Sequence, residues 1–471
     1  MKRTDLVSRF APFKQRMLAA NLPEIVIENF KHLFRQVLEG ETGLIPDRDI
    51  QPVNDLPDIS EVGAAYRSIG GESLTHTALI KLNGGLGTSM GMSRAKSLIR
   101  VKDGLSFLEI AAQQAAVSRV PLVLMNSFAT HADSCTALAR SKEESQFDLE
   151  WSFLQHKFPK IRRDNLAPAC CPEWPGLEWN PPGHGDIYLA LVTSGMLEKL
   201  LSKGFRYAFI SNVDNLGAVL DEALLGYLVK NCLPFLMEVA DRTPADRKGG
   251  HLARRRDGRL ILRESAQCPE AEIESFQDIS RFRYFNTNSI WLNLLSLQET
   301  LAANDNVLDL ALIRNDKTLN PRDPASTSVF QLETAMGSAI SVFAGAEAIR
   351  VPRSRFAPVK TTADLLVVQS DLYRLDEKYR LAPASTNAGI PEIKLDQRFY
   401  KLIDDYEARF PDGAPSLRSC ARLEIRGDVG FSRNVTVQGS VVLENRGGDR
   451  VLVPAGAELT RDRCWPDPVP A

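Results

Sequence analysis

From about residue 74 onward, short apolar runs alternate with helical stretches, and this alternation limits the fold more than any other feature of the chain. "TALIKL", "PLVLMNS", "RYAFISNVDNLG" and "LPFLMEVA" read as strands. "SFLEIAAQQAAVS", "THADSCTALAR" and "GDIYLALVTSGMLEKLLSKG" read as helices, the last closed by Gly204. Strands that are apolar throughout are covered on both faces. The pattern therefore predicts an α/β fold with a mostly parallel sheet between layers of helices. Asp257-Gly258 in "HLARRRDGRLILRES" is a hairpin signal. "YFNTNSIWLNLLSL" begins as a strand and runs into a helix.

The flanks differ. "LPEIVIENFKHLFRQVLEG" places Ile25, Ile27, Phe30, Leu33, Phe34 and Leu38 on one face, with Gly40 as a C-cap, so residues 1 to about 45 read as helical. Residues 41–73 are loop-rich, with prolines at 46, 52 and 57. Near the other end Leu423, Val429, Val435 and Val441 recur every six residues, with Gly427, Gly430 and Gly439 interleaved. That period predicts a short parallel β-helix; a β-hairpin with accidental spacing is the alternative. A chain of 471 residues needs more than one core. The expected units are a helical segment at 1–73, a core domain at 74–366, and a linker helix with the β-helix at 367–471. The terminal "CWPDPVPA" reads as frayed.

Composition excludes several function classes. Net charge is -2, with no basic excess to serve a nucleic acid or a membrane surface. Seven cysteines lie scattered without a CxxC pair, which fits a reducing compartment. The N-terminus has no apolar h-region, and no run approaches the roughly 20 apolar residues of a membrane span. The expectation is a cytoplasmic protein.

The chemistry concentrates in "KLNGGLGTSMGMSRAKSL", Lys81 to Leu98. This run follows a strand, and ligands of open α/β sheets sit at strand C-terminal ends. Gly84, Gly85, Gly87 and Gly91 let backbone N–H groups turn inward and cup anionic oxygens, and Lys96 follows them. It is not a Walker A loop, because Ala95 precedes Lys96 and Met90 stands where the first glycine belongs. It is not the dinucleotide fingerprint either, because Gly85, Gly87 and Gly91 give G-x-G-x-x-x-G.

"LNGGLGTSMG…KSLI" resembles the nucleotide-binding signature of sugar-nucleotide pyrophosphorylases, and more narrowly the eukaryotic type of UTP–glucose-1-phosphate uridylyltransferase. "PPGHGDIY", "ISNVDNLGA", "MEVADRTPADRKGG", "FNTNSIW", "QLETAMGSAI" and "VPRSRFAPVKTTADLL" resemble that family's segments in order, covering roughly residues 80 to 366. The N-acetylhexosamine and bacterial glucose-type branches carry an arginine in the loop that this chain lacks. One departure lies near the chemistry: where the family reads Gly-Pro-Lys, this chain reads Arg94-Ala95-Lys96. The lysine is kept and the stiffening proline is not.

The resemblance implies a Rossmann-like nucleotidyltransferase core and a left-handed parallel β-helix. It implies Mg2+-dependent uridylyl transfer from UTP to glucose 1-phosphate, giving UDP-glucose and pyrophosphate. Such transfer is driven by positioning and charge neutralisation, so cations and a metal matter more than a protein nucleophile. By the match, Leu82, Asn83, Gly84 and Gly85 bind UTP, and Lys96 and Lys360 are the catalytic cations on its phosphates. Asp214 ends an apolar strand; the sequence alone leaves an Asx-turn cap or a cleft ligand open, and the match makes it the metal ligand. Asn212 contacts the nucleotide, while Gln155 and Gly183 meet the uracil. His184 lies on the phosphate side of the sugar phosphate, and is not assigned as a general base. Asn286 and Asn288 alternate by two, so they share a strand face for sugar hydroxyls, and Glu264 is a further sugar-side match.

These motifs fix the UTP half better than the sugar half. Galactose 1-phosphate and N-acetylglucosamine 1-phosphate stay open as substrates, and a non-catalytic nucleotide-sugar-binding regulator is the reading from another class. The proline- and tryptophan-rich stretch 165–182 is a candidate loop over the site. The exposed end of the β-helix offers a homo-oligomer contact.

Overall fold

The apolar runs become the strands of a ten-stranded sheet. The computed structural model describes residues 3–139, 147, 149–384 and 390–466. The strand Thr77–Asn83 is buried along its whole length. It runs parallel to Tyr207–Asn212 on one side and to Leu122–Asn126 on the other, and Ser152–Leu154 extends the parallel block. Tyr284–Asn293 pairs antiparallel with Tyr207–Asn212 and carries the sheet on to Phe235–Asp241 and His251–Arg255. Glu347–Arg350, Leu260–Arg263 and Ile50–Pro52 complete it. Only Ile50–Pro52, Leu260–Arg263 and Tyr284–Asn293 run against the other strands, so the sheet is mixed but mostly of one direction. The carboxyl ends of the four-strand parallel block lie side by side, which is where such a sheet presents its ligand site.

Local chemistry explains several helix ends. Phe107–Ser118 starts at a capping box, in which Glu109 N–H donates to Ser106 Oγ and Ser106 N–H donates to the Glu109 carboxylate. The single helix expected before Gly204 is two, Ile187–Thr193 and Met196–Ser202. Gly195 between them sits at φ 73°, a left-handed conformation that no α-helix continues through. The apolar period runs on across the break, which hid it from the sequence.

The N-terminal segment folds as Arg3–Ala19 and Glu24–Leu38. Val26, Ile27, Phe30, Leu33, Phe34 and Val37 are the buried face, and Gly40 follows the helix at φ 86°. Phe10 and Phe13 pack on Phe30 and Phe34, and the cluster seats on Phe158, Ile161, Leu189 and Leu332. Residues 165–182 are tied to these helices. Arg16 donates to Ala169 O and pairs with Glu178 at 3.1 Å, while Ala169 packs with Leu319 and Val329.

The C-terminal strands Glu392–Leu395, Ser416–Arg426, Thr436–Asn445, Glu458–Leu459 and Arg463–Trp465 pair in parallel, as do Val429–Phe431 and Val451–Val453. A hairpin would be antiparallel, so the β-helix reading holds. Leu423 lies in register with Val441, three six-residue steps later, and Leu423, Val429, Val435 and Val441 are all buried. The apolar core of this coil is continuous with the site domain: it takes in Met90, Met92, Phe107, Val359 and Leu365. The end of the chain expected to fray, 467–471, lies outside the described residues. Among the described residues, no helix is long and apolar enough to cross a membrane.

Candidate active site

The glycine loop leaves the carboxyl end of Thr77–Asn83. Gly87 and Gly91 take left-handed φ of 62° and 75° on either side of a 3-10 turn, Thr88–Met90. Among the described residues, no backbone acceptor takes the N–H groups of Gly85, Leu86, Gly87 and Thr88, so these donors are open to an anion. A Cβ at Gly87 would crowd Met92 Sδ at 3.0 Å and lie in contact with the Lys96 stem at 3.4 Å. Leu82 and Asn83 face the other way. Leu82 is a core side chain, and the Asn83 amide donates to Asn126 Oδ1 at 2.7 Å and Ser134 Oγ at 2.8 Å. The Asn83 side chain anchors the start of the loop rather than lining it.

Gln155 lies just beyond the edge strand of the parallel block. Its Nε2 donates to Gly183 O at 2.8 Å, and its Oε1 stands 3.1 Å from the position of a Gly84 Cβ. The two residues expected around a base, Gln155 and Gly183, thus meet beside the glycine loop. Gly183 has φ 80°, and a Cβ there would lie 2.4 Å from Thr334 O, so glycine is required twice over. Asp186, fully buried, accepts His156 N–H at 2.7 Å and faces His156 Nδ1 at 2.9 Å. This pair ties the Gln155 segment to the Gly183 turn.

The two segments that carry the cations meet at Asp214. Lys96 Nζ contacts Asp214 Oδ2 at 2.5 Å, with both side chains partly buried. Asp214 follows the strand Tyr207–Asn212, and its carbonyl accepts the N–H of Val359, next to Lys360. Asn215 staples the two segments: its Oδ1 accepts Ala357 N–H at 2.9 Å and its Nδ2 donates to Arg355 O at 3.2 Å. Lys360 is exposed, with Nζ 5.7 Å from the Phe356 ring. Beneath them Lys81 is wholly buried and donates to Ser211 Oγ and Ala218 O, each at 2.8 Å. Burial, reinforced by Arg355, pushes its ammonium down to about 7 against the pull of Glu238 and Asp214.

On the other side of Asn212 lies an amide chain. Asn288 Nδ2 donates to Asn212 Oδ1 at 2.8 Å, and Asn288 N–H donates to Asn286 Oδ1 at 2.9 Å. A bulge makes this possible: the register against Phe235–Asp241 slips at Glu238/Val239, and Asn288 sits at φ 56°. The two asparagines come together through this kink and not through strand alternation. Asn288 Oδ1 is buried with no protein partner among the described residues, an unused acceptor for a hydroxyl. Glu264 abuts Gly250, whose carbonyl accepts Asn286 N–H. Burial pushes the Glu264 carboxyl up to about 7, against Lys360. His184 Nδ1 accepts Met336 N–H at 2.8 Å, so its proton sits on Nε2, and burial holds the ring down to about 4. It is a neutral bridge, not a proton shuttle.

The donor set fits a nucleotide-borne Mg2+. Asp214 is a lone hard carboxylate at a strand end, and among the described residues no group of three or more His, Cys, Asp or Glu could form a protein cage. Mg2+ characteristically takes one or two carboxylates and completes its shell with phosphate oxygens and water. Sequence reasoning overlooked Asn215, Asp186, Gly250 and Gly337. Gly337 packs a would-be Cβ 3.0 Å from Asn286 Nδ2. All four lie inside or beside the recognised segments, but only packing shows what they do.

The whole chain can be compared with known proteins. A family model described as UTP–glucose-1-phosphate uridylyltransferase matches residues 27–438. UTP–glucose-1-phosphate uridylyltransferase 2 of Dictyostelium discoideum is 38% identical, over 98% of this chain and 91% of its own. The Solanum tuberosum enzyme is 39% identical over 88% and 85%. A mutant UDP-glucose pyrophosphorylase of Leishmania major, solved in complex with UDP-glucose, superposes with a TM-score of 0.87 at 42% identity, covering 97% of this chain and 98% of that one. The match in sequence and fold leads to one conclusion: the chain belongs to the UTP–glucose-1-phosphate uridylyltransferase family.

Proposed function

We propose that this protein transfers a uridylyl group from UTP to glucose 1-phosphate, forming UDP-glucose and pyrophosphate. The observation that carries the reading is that an amide and a cation flank one glycine loop, in positions that suit a base and a phosphate chain. Gln155 and Gly183 supply the first, Lys96 with Asp214 the second. An amide offers both a donor and an acceptor, which an imide edge needs. The open N–H groups at 85–88 and Lys96 hold the triphosphate, and Lys360 approaches the transferred phosphate from the segment stapled by Asn215. Asn212, Asn286, Asn288 and Glu264 line the hexose side, with His184 fixing the turn between base and sugar. Asp214 would hold Mg2+, which would supply charge neutralisation at the nucleotide phosphates.

The three-part division at residues 73 and 366 stands as a proposal, as does self-association through the C-terminal coil. Seven free cysteines support a reducing, cytoplasmic setting. The test is pyrophosphate release from purified protein with UTP and Mg2+, comparing glucose 1-phosphate, galactose 1-phosphate and N-acetylglucosamine 1-phosphate. Preference for glucose 1-phosphate is expected. Preference for another sugar moves the substrate and keeps the mechanism, and no release with any of them leaves only nucleotide-sugar binding.

A further inference from the structure

Ala95 stands directly before Lys96. Its backbone sits at φ -56° and ψ 126°, a φ that a proline ring would impose. Nothing covalent imposes it here. Instead Ala95 N–H donates to Asp133 Oδ2 at 3.2 Å, a bond that proline cannot make. Asp133 lies in the first turn of the helix His131–Ala139. That turn is bolted to the strand end from which the glycine loop starts. Thr130 Oγ1 donates to Asn83 O at 2.7 Å, Ser134 Oγ donates to Thr130 O at 2.8 Å, and Asn83 Nδ2 donates to Ser134 Oγ at 2.8 Å. The carboxylate therefore has a fixed base. The next N–H, of Lys96 itself, donates to Gly85 O at 3.0 Å. Two successive backbone donors are thus held, one by the loop and one from outside it.

We propose that Asp133 is a positioning residue for Lys96: its carboxylate, by holding Ala95 N–H, fixes the backbone before the lysine and sets the direction in which the lysine leaves the loop. This rests on the reading that Lys96 handles the nucleotide phosphates. A charge in the first turn of a helix is also favourable to that helix alone, and the variants below separate the two roles. Asp133→Asn keeps an acceptor oxygen and loses the charge. Asp133→Ala loses both. Ala95→Pro added to Asp133→Ala fixes the same φ by a ring instead.

The experiment is steady-state kinetics with UTP and glucose 1-phosphate for these variants, together with amide hydrogen exchange over residues 93–98 of the free protein. For Asp133→Ala we expect kcat/KM for UTP to fall on the order of ten-fold, the scale of one hydrogen bond to a charged group, with faster exchange at 93–98 and an unchanged KM for glucose 1-phosphate. Asp133→Asn should stay within about three-fold of wild type, as a retained acceptor predicts, and the double variant should recover most of the loss. Wild-type kinetics and exchange in Asp133→Ala would overturn the proposal. So would an Asp133→Asn variant as impaired as Asp133→Ala. If the wild-type protein releases no pyrophosphate, the functional reading fails by itself, and exchange at 93–98 still decides whether Asp133 holds the loop.

Discussion

At Glu264 two influences oppose each other, and burial prevails over Lys360, so the carboxyl titrates near 7. A folded-state pKa above the unfolded value of about 4.3 means that the native state holds more protons in that window. Stability therefore falls as pH rises through it and stays lower above about 7. Glu264→Gln cannot ionise, so relative to wild type it should gain on the order of 2 kcal/mol between pH 5 and pH 8, read by urea unfolding at both values. His184 has the opposite sign. Its pKa is lowered to about 4, so stability is lost as pH falls from about 6.5 toward 4. His184→Asn, which keeps an acceptor for Met336 N–H, should flatten that acid limb. Lys360 is exposed and packs little, so Lys360→Met should cost on the order of 10²-fold in kcat with stability changed by less than about 0.5 kcal/mol. Lys96, Asp214, Gln155 and Gly183 were legible because their chemistry sits in short contiguous motifs. The inward turn of the Asn83 side chain was not, because its partners, Asn126 and Ser134, come from a different strand and helix.

Elements were legible where period and punctuation agree. The buried strand Thr77–Asn83, the hairpin at Gly258 and the parallel coil with a six-residue repeat all follow from pattern. Pattern failed at Gly195, where the apolar period continues across a break. It also failed at the Asn288 bulge, where strand alternation gave the right neighbours for the wrong reason. Loop-to-loop staples have no period at all. Asn215 joins the Asp214 loop to the Lys360 segment through Ala357 and Arg355. Asn215→Ala leaves those backbone groups buried and unpaired. It should cost about 2 kcal/mol of stability and lower kcat on the order of ten-fold, measured by thermal unfolding and by pyrophosphate release.

For the molecule as a whole, the C-terminal coil is not an appendage. Its core includes Met90 and Met92 from the glycine loop, and Thr362 Oγ1, two residues past Lys360, donates to Tyr400 O at 2.6 Å. Removal of residues 391–471 should therefore abolish UTP binding as well as shorten the chain. Equilibrium binding of UTP to the truncated protein checks this, and retained affinity would detach the coil from the site. Sequence reading placed the coil as a separate unit because repeats announce themselves along the chain, whereas a core shared between units is visible only in space.

At the rim of that core Leu402, an exposed side chain beside the coil, covers Gly91: a Cβ at position 91 would stand 2.7 Å from Leu402 Cδ2. The glycine-rich signature is therefore not a portable cassette. A graft of residues 81–98 into another scaffold would leave behind the surface that moulds its second left-handed turn. Within lineages of this chain, position 91 should stay glycine whatever residue stands at 402, because an exposed leucine can swing aside while a backbone at φ 75° cannot take a side chain without strain.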